Sequence, residues 1–130
     1  MKAGPGPISD LILDLRGNSG GLLQEALTVA DHFVGKGLLV RTRSRAEPAQ
    51  DKKATPGGVG ESIPLAVLVN SSTASGAEIV AGAIQGNGRG LILGERTFGK
   101  GTVQVLYPAG GGACYIKLTC AFFPGRGIVE

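Results

Sequence analysis

A chain of 130 residues holds one core, and 42% apolar with 18% charged residues excludes a disordered polymer. A formal net charge of +3, with no interleaving of basic and aromatic residues, gives no case for a nucleic-acid partner. No apolar run is long enough for a membrane span, and the start, MKAGPGPISD, lacks the apolar stretch of a signal peptide.

LILDLRG, at 11–17, is a short apolar run ending in a turn signal and reads as a buried strand. GLLQEALTVADHFVG sets Leu22, Leu23, Ala26, Leu27, Ala30 and Phe33 at helical spacing, which predicts a helix over 22–34. LLVRTR, at 38–43, reads as the next strand, and the strand-helix-strand order predicts a parallel pair joined by a right-handed crossover. The stretch at 44–62, SRAEPAQDKKATPGGVGES, is charged, rich in Pro and Gly and aperiodic, so an exposed or disordered loop is expected. PLAVLVN, at 64–70, restarts the core as a buried strand. STASGAEIVAGAIQGNG then reads as a helix closed by Gly86 and Gly88, and GLILGE as a further strand. TVQVLYP and ACYIKLTC alternate on either side of AGGG and read as a hairpin. The expected architecture is a single α/β domain over 1–130, with a tail at 1–10.

In α/β folds ligands collect at the carboxyl ends of strands, where helices begin. Three segments qualify: RGNSGG, NSSTASGAE and GERTFGKG. The last approaches the phosphate-binding P-loop pattern, but Gly101 stands where a Ser or Thr should hold magnesium, and the following TVQVLY reads as a strand rather than a helix. Lys100 therefore needs another role.

Ser75, Gly76, Ala77 and Glu78 spell a capping box, in which hydroxyl and carboxylate satisfy the free amides of a helix start. The same position suits a nucleophile, which needs a base. His32 is the single histidine, near the end of the first helix, and its neighbour Asp31 projects in another direction, so a Ser-His-Asp triad has no support. Lysine can serve when burial favours its neutral form. Lys100 lies in a glycine-flanked loop between two core strands, where its stem could be enclosed. The glycines of RGNSGG would let backbone amides face a ligand, as an oxyanion hole requires, or simply make a tight turn. Cys114 and Cys120, with no CxxC pair, argue against a zinc site, and their pairing is not legible.

Taken together, LILDLRGNSGGLLQEALTVADHF, VLVNSSTASGAEIVAGAIQGNGRGLILGERTFGKGTVQ and IKLT resemble the C-terminal processing peptidases, or tail-specific proteases, from about residue 10 to residue 120. The resemblance implies a fold similar to the crotonase and Clp protease core. It also implies a serine endopeptidase with Ser75 as nucleophile, Lys100 as base and Gln104 as the residue that orients the lysine. Oxyanion donors would be the amides of Gly76 and of Gly21 or Gly20, with no metal or cofactor. The implied substrates are proteins or peptides with apolar C-termini, and the implied location is the bacterial periplasm or cell envelope. Members of that family carry a helical segment and a PDZ domain before this region, so the chain is expected to be an isolated catalytic core. Two readings from other classes stand beside this one: a catalytically silent core serving as a binding or assembly module, and a nucleotide-binding loop. The sequence leaves open whether the chain forms a homo-oligomer.

Overall fold

The computed structural model describes residues 8–43, 48–58, 60–109 and 114–124. The apolar run after Asp10 forms β1 (Leu11–Asp14), and the amphipathic stretch after the glycine-rich turn forms α1 (Leu23–Phe33). Next come β2 (Leu38–Arg43), β3 (Gln50–Lys53) and β4 (Leu65–Val69). Then follow α2 (Gly76–Gly86), β5 (Leu91–Gly94), β6 (Thr102–Ala109) and β7 (Cys114–Pro124).

Two sheets result. One is parallel, in the order β1-β4-β5, and the other is antiparallel, in the order β3-β2-β7-β6. The unit β4-α2-β5 is the strand-helix-strand crossover expected from the sequence, with its two strands adjacent and parallel. The first such expectation is corrected. β2 does not pair with β1 but crosses to the second sheet, and the parallel partner of β1 is β4, registered from Leu11 opposite Leu65 to Asp14 opposite Leu68. The physical reason is visible in LLVRTR: Arg41 and Arg43 are exposed while Leu39 and Val40 are buried. The antiparallel ladder meets Arg41 with Asp51 of β3, while Leu39 and Val40 join the core.

The expected loop at 44–62 is corrected in part. Its middle, QDKK, is β3, an antiparallel edge strand on β2 with all four side chains exposed. No apolar residue announced it, because an edge strand bonded through its backbone can carry only charges, and charged edges resist further pairing. Arg41 and Asp51 face each other across this ladder in a 2.6 Å ion pair. The hairpin β6-β7 forms in the register Val103 opposite Cys120 through Ala109 opposite Cys114. Residues 1–7, 44–47, 59, 110–113 and 125–130 lie outside the described residues, and with them the tail and most of the AGGG turn. Cys114 and Cys120 both lie on β7.

The core lies where α1 and α2 pack on each other and on the parallel sheet, with α2 also touching β2, β7 and β5. α2 is buried from Gly76 to Ile84, which fits a helix enclosed between layers. Its end is a Schellman closure: the Arg89 amide donates to Ile84 O and the Gly88 amide to Gln85 O, with Gly88 at φ +62. Among the described residues, no helix is long and apolar enough to cross a membrane.

Candidate active site

β1 and β4 are adjacent, so the turns at their carboxyl ends meet. Thr73 Oγ1, fully buried, donates to Leu15 O at 2.8 Å. The Gly17 amide donates to Asn70 Oδ1 at 3.0 Å, and the Ala74 amide to Asn18 O at 2.9 Å. These bonds press RGNSGG against the start of α2. Gly20 is what lets them close: at φ +97 it lies so near Ser75 that a Cβ there would stand 2.6 Å from Ala74 O and 2.8 Å from Ser75 Cβ. A Cβ on Gly76 would stand 3.1 Å from the Gly21 nitrogen.

Ser75 sits at φ 53, ψ −117, the one non-glycine residue with positive φ among those described. L-residues rarely hold this conformation, and such strain persists only where surroundings impose it, as they do at functional turns. Small neighbours, Ala74 and Gly76, permit it. The capping expectation is met on the carboxylate side, since the Ser75 amide donates to Glu78 Oε2 at 2.7 Å. The Gly76 and Gly21 amides make no hydrogen bond among the described residues, whereas the Gly20 amide donates to Asn18 Oδ1 at 2.8 Å.

Residues 95–101 carry the chain from β5 toward β6. They run into a strand rather than a helix, so no helix dipole faces a phosphate there and the nucleotide-loop reading is lost. The loop is pinned by the Glu95 amide to Val69 O and the Phe98 amide to Thr73 O, at 3.2 and 2.9 Å. Glu78, 2% exposed, also accepts from Thr97 Oγ1 and the Gly99 amide at 2.7 Å and from the Lys100 amide at 3.0 Å.

One cavity of about 240 Å³ is lined by Ser75, Gly76, Gly21, Lys100 and Gln104, together with Leu22, Leu23, Ile79 and Thr102. Lys100, Thr102 and Gln104 reach it at alternate positions, as period-two geometry requires. Of the sequence-derived candidates, only Gly20 is not on its wall; it packs behind Ser75. The expected enclosure of Lys100 is corrected. The residue is exposed, because flanking Gly99 and Gly101 supply no side chains to cover it. Leu22, expected on the core face of α1, precedes the first helical turn instead and stands 72% exposed at the cavity mouth. Asp31 and His32 take no part here; the Asp31 carboxylate accepts the Thr55 amide at 2.6 Å, and His32 is exposed.

The fold and cleft define a class: an α/β protein with a small cavity where two strand ends and an inter-sheet loop converge. The chain matches the model of Peptidase family S41 over residues 4–123, and it belongs to that family. It is 42% identical over 113 residues to a carboxy-terminal-processing protease of Bartonella bacilliformis, covering 86% of this chain and 26% of that one. A carboxyl-terminal-processing protease of Synechocystis is 44% identical over 102 residues, covering 78% and 24% respectively. The solved structure of a photosystem II D1 C-terminal processing protease superposes with a TM-score of 0.84 at 36% identity, over 92% of this chain and 31% of that one. The chain thus spans about a quarter of the length of the curated relatives it matches.

Proposed function

We propose that this chain is the catalytic core of a serine endopeptidase that cuts peptide bonds near the C-termini of its substrates. The observation that carries the reading is the convergence of Ser75, Lys100, Gln104 and two unbonded amides on one cavity. Neutral Lys100 removes the Ser75 Oγ proton as that oxygen attacks the scissile carbonyl. The amides of Gly76 and Gly21 hold the resulting oxyanion. Gly21 is preferred to Gly20 as donor, because the Gly20 amide is already given to Asn18. Collapse of the tetrahedral intermediate breaks the C–N bond, and protonated Lys100 gives its proton to the leaving amine. Water, deprotonated by the same lysine, then hydrolyses the ester to free acid and Ser75. Gln104 orients the amine. Leu22, Leu23 and Ile79 on the cavity wall support substrates with apolar C-termini, and cleavage near the C-terminus is in keeping with the names of the relatives.

The test is hydrolysis of peptides with apolar C-termini by the parent and by Ser75→Ala. Loss of the nucleophile is expected to lower kcat by roughly 10³-fold or more. A second reading, a silent core acting as a binding or assembly module, is favoured by the exposure of Lys100, whose side chain is not enclosed as a lysine base requires. Equal rates for parent and Ser75→Ala would select it.

A further inference from the structure

The four groups that meet the Glu78 carboxylate come from two separate segments. Oε2 accepts from the amides of Ser75 and Lys100, and Oε1 from Thr97 Oγ1 and the Gly99 amide. A single buried side chain thus bridges the turn that carries Ser75 and the loop that carries Lys100. Few other forces fix that end of the loop. Phe98, Gly99, Lys100 and Gly101 are exposed, and nothing lies within 4 Å of where a Gly99 Cβ would be. The other ties of the loop are the Glu95 amide to Val69 O, the Phe98 amide to Thr73 O and the Ser71 amide to Glu95 Oε2 at 3.4 Å; they reach residues ahead of Ser75, not Ser75 itself.

The backbone partners can only donate, so the acceptor has to be a carboxylate. A glutamine here would set its NH₂ group against the Ser75 and Lys100 amides in one orientation, or against the Gly99 amide in the other. Either way at least one amide loses its acceptor.

We propose that Glu78, assisted by Thr97, is the positioning residue that docks the lysine-bearing loop onto the serine turn, so that the docked fraction sets how often Lys100 stands across the cavity from Ser75. The proposal rests on the reading of Ser75 as nucleophile and Lys100 as base. The Glu78 carboxylate acts through the groups that donate to it, mainly backbone amides. The walls built by Gly21, Leu22, Leu23 and Ile79 do not depend on this loop, so undocking lowers kcat and leaves KM in place.

The experiment uses the whole chain with Thr97→Val, which deletes one donor at constant shape, and Thr97→Ser, which keeps the hydroxyl. Thr97→Val is expected to lower kcat about tenfold with KM within about twofold, and Thr97→Ser to restore it. Hydrogen exchange at the Gly99 and Lys100 amides is expected to be slow in the parent and about tenfold faster in Thr97→Val, with Glu78→Gln faster still. Free-peptide exchange at both amides in the parent, an unchanged kcat in Thr97→Val, or a loss carried by KM overturns the proposal. Failure of the peptidase reading has a different signature: parent and Ser75→Ala hydrolyse alike while the two amides stay protected. The exchange data then decide the docking alone.

Discussion

At the scale of single residues, glycine matters here by how close the neighbouring backbone lies. Gly17 and Gly20 both have positive φ, yet only Gly20 has neighbours that a methyl group would strike. Gly17→Ala is therefore expected to cost only the left-handed penalty of about 1 to 2 kcal/mol and to leave turnover intact. Gly20→Ala adds a clash with Ala74 O and Ser75 Cβ, so it is expected to move the Ser75 turn and lower kcat/KM by at least about tenfold. Urea unfolding and peptide hydrolysis of the two variants check this, and equal effects on hydrolysis would refute it. Asp14 gives a pH-dependent counterpart. Its side-chain hydrogen bonds to Arg16, with the Arg16 amide in support, lower its pKa from 3.8 to about 2. A depressed carboxylate stabilises the fold above its unfolded pKa and loses that contribution as pH falls from about 4 towards about 2. The pair is exposed, so the effect on stability is small. Arg16→Gln is expected to return the Asp14 carboxyl midpoint towards 3.8 in an NMR titration, and an unmoved midpoint would assign the shift elsewhere. Ser75, Gly76, Gly21 and Lys100, unlike Gln104, which came only with the family resemblance, were legible as candidates because each stands in a short motif whose chemistry depends on residue type. The four-donor role of Glu78 was not, since a capping box accounts for only one of its partners, and the others arrive from 19 to 22 positions away.

At the scale of elements, period and length revealed the helices, most strands and the pairings of β4 with β5 and β6 with β7, while the partners of β1 and β2 stayed hidden. β2 was recognisable as a strand to the residue, yet its partners β3 and β7 form a separate sheet, a property of the assembled layers. β3 was invisible because its side chains contribute nothing to the core. Arg89 is a further case. It follows the Schellman closure of α2, and its guanidinium donates from Nε to Phe33 O at 2.9 Å and from Nη2 to Gly60 O and Ile63 O. The end of α1, the turn around residue 60 and the approach to β4 are thereby tied to the end of α2. A planar fork can serve carbonyls in two directions, whereas an ammonium on a flexible stem cannot hold all three. Arg89→Lys is expected to lower unfolding free energy by about 1 to 3 kcal/mol at unchanged m-value, with KM unaffected because the site lies at the opposite end of α2. A variant as stable as the parent would show that these bonds merely replace equivalent ones to water.

At the scale of the whole molecule, the candidate site belongs to neither sheet alone. Ser75 and Gly21 follow strands of the parallel sheet, Gln104 lies in the antiparallel one, and residues 95–101 cross between them. The parallel layer with its two helices is held by a continuous apolar core, including Val67, Ile79 and Ile84 at 1% exposure or less. The crossing segment is held by hydrogen bonds, and its last residues are exposed. Local openings cost less than global unfolding where few apolar contacts are broken. Mild denaturant should accordingly separate Lys100 from Ser75 before it melts the core. Ser75-dependent kcat, measured at saturating peptide in rising urea, is expected to halve at least about 0.5 M below the midpoint of the far-ultraviolet circular dichroism transition. Measuring KM at each concentration removes the effect of urea on substrate binding. Coincident curves would mean that the crossing segment and the core open as one cooperative unit, and the carboxylate of Glu78 would then be no weaker a tie than the packing of α2.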